Sequence, residues 1–219
     1  MEYKFFNELE EKIKLYYNKV EDPSHDFSHV IRVYNLAIRL QEKEGGDIDI
    51  IKVAALLHDL HHLSFKRDKT FVLGKEILNE IEEILHEINF PKEKISAVLH
   101  CIEVHDDYSF TKQGNRAKTI EAKIIQDADN LDGFGAIGVA RTFVFGGKHQ
   151  RPMWDGKLIN NQFYENEKIN ESSIQHFYDK LLKLKSEMNT KTAIQMAEVR
   201  HNFTKIFLDQ FMKEWNGEL

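Results

Sequence analysis

A single cysteine, Cys101, leaves no partner within the chain for a disulfide. Prolines number three and glycines eleven in 219 residues, so long stretches run without the residues that break helices. No window approaches the roughly 20 consecutive apolar residues that a membrane span needs. The opening MEYKFFNELEEKIKLYY mixes charge with apolar side chains and does not form the apolar core of a signal peptide. These absences predict a cytoplasmic protein with no membrane partner. Positive charge is also in short supply: the formal net charge is −6. That excludes a global field able to hold a long nucleic acid, and any basic contact with a substrate must be local.

What is present favours helix. Hydrophobic residues make up 42% of the chain, enough for a sizeable core, and Leu, Ile, Lys and Glu lose little rotamer freedom in a helix. The expectation is an all-α fold, one domain over residues 1–219. Phe5, Phe6, Leu9, Ile13, Tyr16 and Tyr17 recur at helical spacing. The turn chemistry of DPSHDFS follows, with Asp26 or Ser28 available as an N-cap. A second helix from near His29 carries Val30, Val33, Tyr34, Ala37 and Leu40 and ends at Gly45-Gly46. IDIIKVAALLHDL is apolar nearly all round and predicts a central helix, and two amphipathic helices follow over 72–88 and 95–102.

A sixth helix, from about 117 to 131, meets Gly133, Gly135 and Gly138, which point to a close backbone approach or a bend. From Phe145 to about Ser172 the pattern dissolves, predicting a long irregular loop of the kind that often serves function. Two closing helices, within 173–215, are expected to pack on the rest. Their stripes run over Ile174, Phe177, Leu181 and Leu184, then Met196, Val199, Phe203, Phe207 and Phe211.

The sharpest chemical anomaly is His58-Asp59 at the end of the nearly all-apolar helix. Burying an aspartate is costly unless it is paired or binds a cation. Taken alone, such a pair is more often a helix-end carboxylate beside a core histidine. His29 and the two aspartates of IIQDADNLDGFG, Asp127 and Asp129, change the balance. Polar ligands from separate helices are what one divalent cation needs. Asp127 and Asp129 are two apart, on nearly opposite sides of a helix, so spacing leaves open which of them is the ligand.

These residues resemble the HD superfamily of metal-dependent phosphohydrolases, whose pattern is a His, a later His-Asp pair and a distant Asp. The matching segments are HDFSHVIRVYNLA, VAALLHDL and QDADNLDGFGAIGVAR. HFYDKLLKLKSEMNT and the closing AEVRHNFTKIFLDQFMKEW are similar to a subgroup of small bacterial HD hydrolases. The resemblance implies His29, His58, Asp59 and Asp129 as metal ligands, with Asp59 and His58 catalytic and Asp129 preferred as the second residue of an Ala-Asp-x-Leu stretch. Asp127 then supports the site or faces substrate, and Glu121, on the face of Ile125 and Asp129, is placed to support it too.

The resemblance further implies a small phosphorylated substrate, a nucleotide, with a triphosphate cleaved to monophosphate and pyrophosphate. His100 and His105 are candidates for contacting phosphate or orienting water, with simple packing, above all of His100 beside Leu99, as the alternative. Lys66, Arg67 and Lys69 and, in the loop, Lys148, His149 and Arg151 are local basic groups of the type that binds phosphate, although such runs are usually solvated faces. Arg32 and Arg141 are similar candidates, and Trp154 and Phe163 are able to stack on a base, clamp, or join two copies in a homodimer.

Mixed His and carboxylate ligation suits Mn, Fe, Co, Ni or Zn without excluding Mg, and Mn or Mg is the expected ion in use. Such an ion lowers the pKa of water and yields hydroxide near neutral pH to attack phosphorus. His61 and His62 could supply a second metal, which keeps a di-iron oxygenase as an alternative beside a nucleotide sensor without turnover. His25, His86, His176 and His201 are expected to be structural or surface residues.

Overall fold

The chain is described by a computed structural model over residues 2–17, 26–63, 77–111, 114–156 and 172–219. Lys66, Arg67, Lys69, Phe163 and His25 lie outside these residues, as do the start of the fourth predicted helix and 157–171 of the predicted loop. The side chains of Phe5 and His62 are likewise outside the description.

Every regular element among the described residues is helical, as the composition predicts. Helix α1 spans Glu2–Tyr17, α2 Phe27–Glu44 and α3 Ile48–Leu57. Helix α4 spans Leu78–Glu87, α5 Lys92–Val104, α6 Ile120–Asp132 and α7 Gly135–Lys148. A short α8, Ser173–His176, precedes the long α9, Lys191–Trp215. Helix starts follow capping chemistry. The carboxylate of Asp26 accepts the His29 N–H, and Thr119 and Thr190 cap α6 and α9 in the same way. Asp26, not Ser28, is therefore the cap of α2; Ser28 Oγ donates to its carboxylate at 2.6 Å.

Helix α3 sits at the centre, against α1, α2, α5 and α6. Ile51, Val53, Ala54, Ala55 and Leu57 have no exposed surface. Each large side chain among them contributes about 1.5–3 kcal/mol by leaving water. Because α3 is apolar all round, it must end where polar groups begin. His58 and Asp59 follow it directly, and a short 3-10 turn over Leu60–Leu63 comes next. Helix α6 lies against α2, α3 and α5 and is buried over most of its circumference.

The glycines of the sixth segment do mark a bend, between α6 and α7. A Cβ at Gly138 would lie 2.2 Å from the Gly133 carbonyl oxygen, so only glycine permits that turn.

Three expectations are corrected. Helix α7 continues through Gly146 and Gly147 to Lys148, where the sequence pattern had dissolved at Phe145. Gly146 is there for contact: a Cβ would lie 2.1 Å from Ser173 Oγ, so this glycine lets α8 close onto α7. The first closing segment is not one regular helix but α8, a π-helical turn over Phe177–Leu181 and a 3-10 turn over Leu184–Glu187. Its stripe residues Ile174, Phe177, Leu181 and Leu184 are nevertheless all buried. On α9 the buried face is Ala193, Ala197, Thr204 and Leu208, whereas Val199 and Phe203 of the predicted stripe are exposed. Further along α9, Arg200 packs on Gly135 of α7, and Thr204 Oγ1 accepts the Gly135 N–H at 2.9 Å.

Candidate metal centre

Helices α2, α3 and α6 meet at one end, and each delivers donors to the same place. His29 lies in the first turn of α2, His58 and Asp59 at the end of α3, and Asp129 in the last turn of α6. His29 Nε2 is 3.1 Å from Asp59 Oδ2 and 3.4 Å from Asp129 Oδ1. His58 Nε2 is 3.6 Å from Asp59 Oδ1 and 3.8 Å from Asp129 Oδ1. Ligand atoms of His29, His58 and Asp59 all lie within 4.8 Å of one another, a spacing able to surround one cation. Asp129, at 18% side-chain exposure, is the least buried of the four.

The outer nitrogens fix the imidazoles. His58 Nδ1 donates to the Ala55 carbonyl at 2.9 Å, and His29 Nδ1 donates to Asp132 Oδ2 at 2.8 Å. With each Nδ1 carrying its proton, both Nε2 atoms face the centre, where the neutral ring would present a lone pair, the form in which histidine binds metal. The two Nε2 atoms lie 3.3 Å apart. Such a contact must be bridged by a proton or a cation, so these residues fit a bound metal ion. Burial pushes His58 down to about 4, keeping it a neutral donor.

Asp132 was not singled out by the sequence. Besides His29, it accepts from Arg32 Nε at 2.7 Å, Arg32 Nη2 at 3.0 Å and Arg141 Nη1 at 2.9 Å. Burial raises its carboxyl, but the bonds from His29 and Arg32 outweigh that and hold it well below the ordinary carboxylate range. The available signal was its position three residues after Asp129, which puts both on one face of α6. Arg32 and Arg141, read from the sequence as phosphate candidates, both donate to this carboxylate.

His105, at the end of α5, reaches the centre. It is buried, donates Nδ1–H to the Ile102 carbonyl at 2.7 Å and places Nε2 3.6 Å from Asp59 Oδ1. Burial lowers its pKa, but its bond to Asp59 and the charges of Asp106 and Asp129 push it up to about 10. Asp59, His61 and His105 form a second group of donors within 4.8 Å, sharing Asp59 with the first. His100 is half-buried on the same helix.

Asp127 and Glu121 are used elsewhere. Asp127 turns away from the centre and binds the start of α9, accepting from Asn189 N, Asn189 Nδ2, Thr190 N and Thr190 Oγ1 at 2.7–2.9 Å. Glu121 accepts from Asp47 N at 2.9 Å and so secures the turn between α2 and α3, where Gly46 adopts φ +91°. Lys148 is exposed at the end of α7, and Arg151 lies 4.9 Å over the Phe145 ring. Trp154 is buried in the hydrophobic core, which corrects its reading as a base-stacking residue.

A helical fold that gathers a His, a His-Asp pair and a distant Asp into one buried centre is that of an HD domain, and residues 26–133 match the HD domain family. The chain belongs to that family. Among its relatives is the uncharacterized protein YpgQ of Bacillus subtilis, 38% identical over 200 residues that span 90% of this chain and 87% of YpgQ. The crystal structure of YpgQ in complex with ADP is similar with a TM-score of 0.74 and 30% identity, covering 97% of this chain and 96% of that one. An HD-superfamily hydrolase from Bacillus thuringiensis is similar with a TM-score of 0.73 and 38% identity, over 99% of both chains. A deoxyguanosinetriphosphate triphosphohydrolase-like protein of Clostridium tetani is 24% identical over 142 residues, 58% of this chain and 40% of that protein. No described helix is long and apolar enough to cross a membrane.

Proposed function

We propose that the protein is a metal-dependent phosphohydrolase of a single HD-type domain, acting on a small phosphorylated substrate, a nucleotide. The observation that carries this reading is the pair of imidazole Nε2 atoms 3.3 Å apart, facing Asp59 and Asp129. His29, His58, Asp59 and Asp129 would hold a divalent ion, Mn or Mg in use. When bound, the ion supplies Lewis acidity and makes water acidic enough to be a nucleophile near neutral pH. Asp59 accepts the proton of the attacking water, and Asp132 keeps His29 in the tautomer that binds. His105, with His100 and the basic groups Lys66, Arg67, Lys148 and Arg151, is assigned to the charge of the phosphate.

Nucleotide as the substrate class is supported by the ADP bound to YpgQ and by the relative from C. tetani. The finer reading is cleavage of a nucleoside triphosphate to monophosphate and pyrophosphate. The test is phosphate and pyrophosphate release from nucleoside mono-, di- and triphosphates and from phosphodiesters, with metal-free protein resupplied with Mn, Mg, Co, Ni, Zn or Fe. Release is expected with the wild type and should vanish in His58→Ala and Asp59→Ala, whose helix content stays near wild type by circular dichroism. Full activity in either variant would sink the assignment.

One observation favours a second reading. The donor group Asp59, His61 and His105 shares Asp59 with the first and would supply donors for a second ion. Two irons per chain, a visible chromophore and silence across the phosphate panel would move the assignment to a di-iron oxygenase.

A further inference from the structure

Tyr17, the last residue of α1, has a buried hydroxyl that belongs to none of the groups assigned above. The residue is 4% exposed, and its hydroxyl oxygen is buried with no hydrogen-bond partner among the described residues. Leaving a phenol O–H in that state is costly, and folded proteins seldom tolerate it without a reason.

The surroundings supply one. The Tyr17 ring packs at 6.1 Å on Phe27, the first residue of α2 and two before His29. Helix α1 itself packs on α3, which ends at His58-Asp59. The phenol is thereby set beside the start of α2, on the helix that packs against α3. Burial, followed by the negative charges of Asp59, Asp129 and Asp26, holds its pKa well above the usual phenol value. Both metal-centre carboxylates raise its pKa, yet among the described residues the hydroxyl bonds to neither. It keeps its proton and has that proton to donate.

Resting on the phosphohydrolase reading, we infer that Tyr17 is a catalytic residue whose hydroxyl donates a hydrogen bond to an oxygen of the phosphoryl group seated at the metal centre. An anionic oxygen is the partner that a buried, unpaired O–H donor would take. A donor aimed at charge that grows during phosphoryl transfer stabilises the transition state. No bond to Tyr17 forms or breaks.

Tyr17→Phe removes only the oxygen, so the ring packing against Phe27 is kept. Metal-free Tyr17→Phe is expected to melt at or above the wild-type temperature, because the lost hydroxyl had no partner to lose. Its Mn affinity, by calorimetry, should match the wild type. With Mn present, affinity for inorganic phosphate should fall about tenfold or more, the worth of one hydrogen bond to a charged group. The specificity constant for the nucleotide that the wild type cleaves fastest should fall by at least as much.

A metal-free Tyr17→Phe protein that melts clearly below wild type would show a structural partner for the hydroxyl and overturn the inference. Unchanged phosphate affinity would overturn it too, while a wild type that binds Mn and cleaves nucleotide left the phosphohydrolase reading standing. A wild type that binds neither Mn nor phosphate would overturn both.

Discussion

Replacing Asp132 by Asn tests whether the metal centre depends on a group that binds no metal. The carboxylate receives four hydrogen bonds from three side chains, His29, Arg32 and Arg141, at 2.7–3.0 Å. Asn is the same size, but it carries no charge and turns one acceptor oxygen into an NH2 that faces donors. Breaking a buried ion pair costs about 3–5 kcal/mol. Arg32 is 31% exposed and Arg141 18%, so water softens the loss and about 3 kcal/mol is expected.

For a chain of this length that lowers Tm by roughly 6–12 °C. His29, freed to rotate or to take the other tautomer, should bind metal about 10–100-fold more weakly. Calorimetric titration with Mn, and melting with and without it, give both numbers. A D132N protein with wild-type Mn affinity would refute the claim that Asp132 sets the His29 donor. The pH dependence has a defined sign. A carboxyl held below its ordinary value contributes stability above pH about 4, and that contribution is lost as pH falls toward the folded value. The urea midpoints of wild type and D132N should therefore converge as pH drops from about 5 toward 3.

Asp127→Ala should cost about 2–4 kcal/mol, since it strands four donors at the start of α9, yet keep wild-type Mn affinity and turnover per folded molecule. Weakened Mn binding would return Asp127 to the site. Chelation should lower the wild-type melting temperature, and Mn at about 100 times its Kd should raise it by roughly 5–10 °C, while H58A responds to neither. Cys101, fully buried and with its thiol pushed up to about 12 by burial, should resist a thiol reagent at pH 8 and take up one equivalent in denaturant. Fast labelling of the native protein would contradict that packing.

The sequence made the helices legible where an apolar stripe met a capping residue. Helix α3 could be read from its all-apolar run, and the bend after α6 from its glycines. The α9 stripe differs from the expectation because Ala193 and Ala197 are buried while Val199 and Phe203 lie outside, and alanines add little to an apolar stripe read from sequence. The four donors stood out as polar residues in apolar company, and the structure brings His29, His58, Asp59 and Asp129 together. Helix geometry separates Asp127 from Asp129, because residues two apart face nearly opposite ways. Asp132 was silent for a different reason: its partners lie 103, 100 and 9 positions away. No local pattern reveals a bond that only tertiary packing makes. Tyr17 was visible only as one more apolar stripe residue, since a sequence shows no missing partner.

The unequal exposure of the four donors bears on kinetics. The side chains of His29, His58 and Asp59 are all buried, and the Asp129 carboxylate, at 18% exposure, is the donor of the four most open to solvent. An ion held by these four donors would meet solvent on the Asp129 side, and its release by the other three would require helix ends to separate. Its exchange would then be set by local opening. Stripping such an ion with a chelator would be slow next to stripping it from an open surface site, and would quicken under mild denaturant.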